Sequence, residues 1–250
     1  GDSIYYQVSG TGVLGFYFIP NVATDTKIFI YTSPPAGLAD GWHNFVGIRK
    51  DNILSGYIDG VDYSFSGAAQ CNASDTFYPN TIGKRKNKWF YGDMRDIGLW
   101  KRALSAEEVS SLYKNPYQFL KPKTPPFLQN IKNDDEFVLP DARHEMPEMF
   151  EEGRKPTGNV VINTNSSLSK GLISYGLGLY DLVTKDTLNY YSNKADQVAD
   201  YLSFNSPRNA ETILLSNLGN TAFNGWTEGF LYVIARYNGA SDSTDEDTII

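Results

Sequence analysis

The sequence has very little of the chemistry that disulfides, metal centres and membrane spans need. Its 250 residues include one cysteine, Cys71, and two histidines, His43 and His144. One cysteine excludes an internal disulfide framework, and this set of sulfur and imidazole groups is too small for structural zinc. No apolar run approaches the roughly 20 residues of a membrane-spanning helix, and no signal peptide is visible. We therefore expect no membrane partner.

Positive charge is also scarce, since 22 Lys and Arg face 29 Asp and Glu, for a net charge of −7. Nucleic-acid-binding proteins normally carry a basic surface, so nucleic acid is not an expected partner. The exception is the run from Lys84 to Lys88. Within it Lys84, Arg85 and Lys86 are candidate ligands for an anionic glycan or phosphate. The alternative interpretation is a solvated turn between two strands.

Aromatic residues are plentiful, at 14% of the chain, and suit half-buried strands. The Asp59-Gly60 dipeptide between two apolar runs predicts a type I′ turn. After it Val61, Tyr63 and Phe65 alternate with polar residues, which predicts one buried face. Short runs with frequent turn signals predict an antiparallel sandwich or barrel. The predicted strands are Ile4–Val8, Leu14–Ile19, Lys27–Thr32, Trp42–Arg49, Ile53–Ile58, Val61–Phe65, Thr76–Ile82 and Trp89–Trp100.

One short helix is predicted near residues 105–114. Ser105 and Glu108 have the spacing of a capping box, in which the hydroxyl and the carboxylate each accept a backbone N–H. Leu104 and Val109 have the positions of the hydrophobic staple that accompanies such a cap. The helix should end near Lys114, because Pro116 disfavours the helical conformation at the residue before it, Asn115.

Residues 121–157 differ in composition from the chain on either side. Prolines and acidic residues predict an extended linker, but Phe127, Met146 and Phe150 are too apolar for a freely solvated tether, so we expect an arm that docks on a neighbour. Strands are predicted again beyond this segment, and the last three residues look like the start of another. The later strands are predicted at Val160–Ile162, Leu172–Leu177, Asp200–Phe204, Glu211–Leu215 and Gly229–Arg236.

Several motifs between Gly41 and Tyr113 occur in one order. They are Gly-Trp-His-Asn-Phe-Val at 41–46, Gly-Tyr-Ile-Asp-Gly at 56–60, Thr-Ile-Gly at 81–83, Gly-Asp-Met-Arg-Asp-Ile-Gly-Leu-Trp at 92–100 and Lys-Arg-Ala-Leu-Ser-Ala-Glu-Glu-Val at 101–109. In this order they resemble the C-terminal half of a laminin-G-like, concanavalin-A-like lectin/glucanase domain. The resemblance implies an all-β, antiparallel sandwich of the jelly-roll type.

The later part resembles the N-terminal half of the same family. Gly171–Tyr175 looks like the opening strand, Tyr180-Asp181-Leu182 like the turn after it, and Phe230–Tyr237 like the central strand of the inner sheet. This order predicts residues 1–120 as a C-terminal half, 121–157 as a linker and 158–250 as the N-terminal half of a second domain. The alternative is that both halves close on each other as one permuted sandwich.

The function that this resemblance implies is binding or structural rather than catalytic. Glycosidases of this fold need two carboxylates that face the scissile bond, and no strand carries the family's alternating acidic pattern. Neither histidine lies near a nucleophile elbow of the Gly-x-Ser-x-Gly type. His43 is expected to be structural because it lies in a predicted strand. We therefore predict that the chain is not an enzyme. A glycoside hydrolase stays as the weakest alternative.

Tandem domains joined by such a linker look similar to bacteriophage structural proteins. We predict a virion component, such as a capsid decoration, fibre or tail-associated domain, that assembles in the bacterial cytoplasm. Its partners would be other virion proteins or further copies of itself, and surface glycans. The alternative is a carbohydrate-binding module of a secreted bacterial multidomain protein.

Specific ligand contacts follow from the same resemblance. Trp89 and Trp226 flank turns and are candidate sugar platforms, with half-buried core positions as the alternative. Calcium is the one candidate cofactor, because laminin-G-like domains often bind it through loop carboxylates. The candidate ligands are Asp242, Asp245 and Asp247, against a plain solvated loop. Asp96 is expected to be structural, through a hydrogen bond to a neighbouring turn.

Overall fold

The structure is a computed structural model. It describes residues 3–8, 14–19, 28–32, 41–51, 53–63, 81–82, 84–85, 88–89, 92–122, 160–177, 180–183, 189–190, 196–198, 201–204, 213–214, 228–237 and 247–248. Among them is one α-helix, α1 (Ala106–Lys114), and a 3-10 turn at Ser167–Ser169. The strands are β1 (Ser3–Val8), β2 (Leu14–Ile19), β3 (Ile28–Thr32), β4 (Trp42–Lys50), β5 (Ile53–Ile58), β6 (Val61–Asp62), β7 (Thr81–Ile82), β8 (Lys84–Arg85), β9 (Lys88–Trp89), β10 (Gly92–Trp100), β11 (Leu120–Pro122), β12 (Val160–Ile162), β13 (Leu172–Leu177), β14 (Tyr180–Asp181), β15 (Asn189–Tyr190), β16 (Asp196–Val198), β17 (Tyr201–Phe204), β18 (Ile213–Leu214), β19 (Glu228–Tyr237) and β20 (Asp247–Thr248).

The largest sheet, called the main sheet below, runs β14-β13-β10-β19-β4-β5-β6, and β17 and β16 extend it beside β10. A second sheet has the order β20-β1-β2-β3. The paired strands within both sheets are antiparallel. Mostly antiparallel strands with one helix confirm the predicted fold class, a concanavalin-A-like β-sandwich.

Strand β19 lies at the centre of the main sheet, as predicted for residues 230–237. It pairs with β4 from Glu228↔Lys50 to Arg236↔Trp42, and on its other edge it pairs with β10. Its residues from 229 to 235 are buried, which includes both alternating sets of side chains. Such a strand must be covered on both faces, which accounts for its continuous apolar sequence.

One face of the main sheet packs against α1, and we call it the helix face. The capping box between Ser105 and Glu108 forms as predicted, and the helix ends at Lys114 as predicted. Its buried residues Val109 and Leu112 join a core that includes Trp100. The full core consists of Val46, Ile48, Tyr57, Trp100, Leu104, Val109, Leu112, Tyr117, Phe119, Leu120, Val160, Leu168, Tyr175, Phe230, Tyr232 and Ile234.

Three sequence-based assignments need correction. The single strand predicted at Trp89–Trp100 is two strands, Lys88–Trp89 and Gly92–Trp100. The turn predicted at Tyr180 begins with a short strand, because residues 180–181 pair with the end of β13. The buried face predicted to begin at Val61 is wrong there, since Val61 is 53% exposed. Its strand β6 pairs with β5 at the end of the main-sheet order, where less of a side chain is covered.

Candidate functional site

The site that best combines aromatic and charged groups is the Trp42 cluster, formed by Trp42, Asp93, Arg95 and Arg236. These residues come from β4, β10 and β19, which are neighbours in the main sheet. The guanidinium carbon of Arg95 lies 4.7 Å from the centroid of the Trp42 ring, and that of Arg236 lies 5.1 Å from it. Both distances are within the range of a cation–π interaction, so the indole holds two guanidiniums at one place on the sheet.

Carboxylates lie beneath the two arginines. Nε of Arg236 donates to Oδ2 of Asp93 at 3.0 Å, and Nη2 donates to the same oxygen. Nε of Arg95 lies 3.6 Å from Oδ2 of Asp96. Arg236 is 38% exposed and Arg95 is 24% exposed, whereas Asp93 and Asp96 are 3% and 0% exposed. The cluster therefore has partly exposed arginines at its surface, and Asp93 together with the neighbouring Asp96 offsets their formal charge.

A β-bulge places Asp96 on this face. Arg95 pairs with Ile234 and Gly98 pairs with Tyr232, so two residues of β10 lie opposite the single residue between them in β19. Asp96 has a φ of +54°, in the left-handed region that Asp tolerates better than most residues. The extra residue turns the Asp96 side chain to the helix face, beside that of Arg95, because bulges reorient side chains in this way.

Behind the cluster lies a buried polar layer centred on Asp96. The Tyr117 hydroxyl donates to Oδ2 of Asp96 at 2.8 Å, and Tyr117 belongs to the turn after α1. The structural role predicted for Asp96, a hydrogen bond to a neighbouring turn, is confirmed. Burial, and then the Asp96 charge, raise the pKa of Tyr175 and of Tyr232 well above 10.0. Both phenols are thus neutral at any physiological pH.

Asn44 lies two residues from Trp42 on the same face of β4, and it is 5% exposed. Its side-chain amide lies close enough to the Tyr232 hydroxyl to oppose the rise in the pKa of that phenol, but within the described part of the chain neither amide atom has a hydrogen bond of good geometry. A buried amide in this state costs about 1–3 kcal/mol unless a water or a ligand bonds to it. Next to the Trp42 cluster, this amide is a polar group that a bound molecule or water would satisfy.

His43 lies on the opposite face of β4 and has a structural partner, as predicted. Its Nδ1 is 2.7 Å from Oδ2 of Asp59, and Oδ1 of Asp59 accepts the backbone N–H of Asn44 at 2.9 Å. Asp59 and Gly60 both have positive φ angles, which agrees with the predicted type I′ turn. The His43–Asp59 pair therefore fixes this turn to the neighbouring strand.

The basic run and its tryptophan lie in a two-stranded hairpin. Lys84 pairs with Trp89 and Arg85 pairs with Lys88, so the strands lie on either side of the predicted turn. The structure describes the backbone of Lys84, Arg85 and Trp89 but not their side chains, and Lys86 lies outside the described residues. The predicted ligand contacts of this run therefore stay predictions. Trp226 also lies outside the described residues, so its role as a sugar platform stays a prediction as well.

The predicted calcium ligands fall mostly beyond the described residues. Asp242 and Asp245 lie outside them, and Asp247 opens β20, where it pairs with Val8 of β1. Strand β20 also lies beside β9, so the backbone of Asp247 is close to that of Trp89. Within the described ranges, no three His, Cys, Asp or Glu side chains group as metal ligands. The same ranges contain no helix that is long and apolar enough to span a membrane.

The Trp42 cluster escaped the sequence-based prediction for a physical reason. Asp93 and Asp96 are three residues apart, so a regular strand would place them on opposite faces. Only the bulge brings both to the helix face, and Arg236 is 143 residues from Asp93 in the sequence. One available signal was Asp96 itself, since an acidic residue inside an apolar strand must find a partner.

Comparison with known proteins gives one family-model match, to the first segment of the chain. Residues 1–110 match a laminin-G-type family model described as the concanavalin A-like lectin/glucanases superfamily. The match covers 110 of 250 residues and includes all of β4 and β10. Neither the curated proteins nor the solved structures gave a significant match. Residues 1–110 of this chain are therefore similar to the concanavalin A-like lectin/glucanase superfamily.

Proposed function

We propose that the chain is a non-catalytic carbohydrate-binding domain and that the Trp42 cluster is its binding site. The observation that carries the proposal is the presence of two partly exposed guanidiniums over one indole ring. The match of residues 1–110 to a lectin/glucanase superfamily model is consistent with a carbohydrate ligand. Arg side chains that are held in place lose little freedom on binding, which favours affinity.

Recognition would use the partly exposed side chains of Arg95 and Arg236. A guanidinium is a planar donor without acceptors, and it fits a pair of adjacent sugar oxygens. Asp93 and Asp96 offset the positive charge, so the attraction for a highly sulfated or phosphorylated chain is weak. This favours neutral glycans, or glycans with isolated carboxylates, with little dependence of affinity on salt concentration.

The same carboxylates favour binding over hydrolysis. A glycosidase needs one carboxyl group to protonate the leaving oxygen and another to act as nucleophile or base beside the sugar. Asp93 and Asp96 are nearly inaccessible, and each has a cationic neighbour in the cluster. Substrate would have to displace these contacts to reach either oxygen. We therefore keep the absence of catalysis as part of the proposal.

A glycan panel tests the proposal. The full chain would be screened against neutral hexose, N-acetylhexosamine and uronic-acid oligosaccharides, and each hit titrated by calorimetry. Arg236→Gln removes the charge and should weaken binding at least tenfold, whereas Lys121→Gln, at an exposed position in β11, should bind as wild type does. Absence of any hit, or equal affinity in both variants, would remove the cluster as a glycan site. Trp89→Leu and Trp226→Leu in the same panel test the two predicted platforms.

Calcium binding at Asp242, Asp245 and Asp247 is proposed on the sequence pattern alone. Titration of the full chain with calcium chloride measures it without any glycan. Asp245→Asn should remove the binding heat if the loop supplies the ligands, and an unchanged titration would place the ion elsewhere. No heat in the wild type would end the proposal.

The setting in a phage virion is also proposed, since segments that resemble one family lie on both sides of a proline-rich segment. The length and genomic neighbourhood of the complete reading frame test it. Neighbouring capsid or tail genes would support a virion component. Neighbouring secretion or polysaccharide-utilisation genes would favour the secreted carbohydrate-binding module instead.

A further inference from the structure

Strand β10 and one edge of β4 pair with strands that lie outside the segment that matches the family model. Within the described residues, every strand that pairs with β10 comes from beyond residue 110: these are β13, β17 and β19. Strand β4 pairs with β5 on one edge and with β19 on the other. Without β19 there is a gap of one strand between β4 and β10, bordered by two rows of unpaired backbone groups.

The apolar core around Trp100 also depends on residues from beyond the segment that matches the family model. The Trp100 ring stacks on Phe230 at 4.0 Å between centroids, and it makes edge contacts with Tyr175 and Tyr232. Its indole N–H donates to the carbonyl oxygen of Leu168 at 2.7 Å. All four of these residues follow the 121–157 segment. A fold made of residues 1–110 alone would expose Trp100 and leave its N–H without this acceptor, which is unfavourable for both groups.

The two ends of the intervening segment are adjacent. Strands β11 and β12 pair antiparallel, from Leu120↔Ile162 to Pro122↔Val160. The chain therefore leaves the sheet after Pro122 and returns beside it at Val160. The residues on either side of the 123–159 segment therefore lie on paired strands, so a much shorter connection would be enough to join them.

We infer that the gap between β4 and β10 is a strand-binding surface whose partner is β19 of the same chain, so that residues 1–122 and 160–237 fold as one unit. The Trp42 cluster is incomplete without this partner, because Arg236 is its only member from β19. The partner is recognised by a ladder of nine residue pairs with β4, and the apolar side chains on its two faces fix its register. This inference is independent of the proposed function.

Specific cleavage of the folded chain tests the inference. A protease recognition sequence placed between Asp134 and Asp135 allows the 123–159 segment to be cut after folding. The two fragments should co-elute on gel filtration at the mass of the full chain and separate in denaturant. Fragments that separate under native conditions would overturn the inference.

A cysteine pair tests the register and the source of β19. In a Cys71→Ser background, Lys50→Cys with Glu228→Cys places two thiols at paired positions, at a spacing that a disulfide can bridge. Lys50→Cys with Arg236→Cys is the matched control, since Arg236 is about 26 Å further along β19 at ~3.3 Å per residue. After cleavage, the first pair should hold the fragments together on a non-reducing gel and the control should not. A disulfide found only in covalent dimers would overturn the inference, since β19 would then come from a second copy.

Replacement of residues 123–159 by Asn-Gly provides a separate test. This dipeptide suits a two-residue turn between antiparallel strands such as β11 and β12. The shortened chain should unfold cooperatively within a few degrees of the wild-type midpoint. Loss of cooperative unfolding would show that residues 123–159 are required, and would overturn the inference that the two segments fold as one unit without them.

Discussion

The indole N–H of Trp100 donates a 2.7 Å hydrogen bond to the carbonyl oxygen of Leu168, 68 residues further along the chain. Trp100 is fully buried, and the contact joins the end of β10 to the 3-10 turn before β13. Next to it, Arg102 donates to the carbonyl oxygens of Lys170 and Ser167 and to both carboxylate oxygens of Glu108. These contacts attach the start of α1 and the later segment to one corner of the main sheet.

Trp100→Phe should lower the free energy of unfolding by about 1–3 kcal/mol, because the smaller ring leaves a cavity and the Leu168 carbonyl loses its donor. Urea unfolding of the full chain measures the change. Tyr113→Phe is the control, since Tyr113 is an aromatic residue that is 45% exposed, and its change should stay within about 0.5 kcal/mol. Equal effects of the two substitutions would mean that Trp100 is not at the centre of the core.

Gly98→Ala should also destabilise the fold, by about 1–3 kcal/mol from overpacking. A Cβ at this position would collide with the six-membered ring of Trp100 and come within 3.0 Å of Cδ2 of Tyr175. Ser55→Ala is the control, because it also introduces an alanine into a strand of the main sheet. If thermal unfolding shows Gly98→Ala to be as stable as wild type, the packing of Trp100 over Gly98 is wrong.

Substitutions of Asp96 should separate its backbone role from its side-chain role. Asp96→Ala should cost about 2–4 kcal/mol, because Ala is strained at positive φ and the Tyr117 hydroxyl loses its acceptor. Asp96→Gly should avoid the backbone strain, because Gly adopts this φ freely, but it should still lose the hydrogen bond to Tyr117. Asp96→Asn keeps an acceptor and tolerates this φ, so it should cost least. Chemical denaturation should give the order Asn, Gly, Ala, and a different order would contradict the bulge geometry.

The Arg102–Glu108 pair should make stability depend on pH. The hydrogen bonds from Arg102 lower the pKa of Glu108 below 4.5, against an opposing effect of burial. A lowered folded-state pKa gives stability that is present above the unfolded value and is lost as pH falls through the folded value. Because the Glu108 side chain is partly exposed and solvent screens the pair, we expect only about 0.5–1 kcal/mol.

Glu108→Gln isolates this charge effect, since Gln still completes the capping box. The stability difference between wild type and variant should be present at pH 7 and should shrink as pH is lowered below 4.5. Thermal unfolding across that range measures it. A difference that stays constant with pH would show that the charge of Glu108 contributes nothing.

Local patterns in the sequence predicted much of the structure. The capping box at Ser105, the turn at Asp59-Gly60 and the strand bounds at Ile53–Ile58 depend on residues close together in the chain, and all of them form. The central position of residues 230–237 followed from the family resemblance and is also confirmed.

The candidate site was not predictable in the same way. Its geometry depends on a bulge at Asp96 that reverses the expected alternation, and on Arg236 from a distant strand. Exposure at the edge was also missed, since Val61 belongs by pattern to a buried face but lies on a two-residue strand that pairs with β5. Each miss comes from a tertiary arrangement that local periodicity does not encode.

Amide hydrogen exchange tests the position of β19 between β4 and β10 most directly. Residues 228–237 should exchange as slowly as 42–50 and 92–100, because the central strands of a sheet open only with global unfolding. Rapid exchange of 228–237, at the rate of an unfolded chain, while 42–50 stays protected, would contradict the shared sheet and with it the site that contains Arg236.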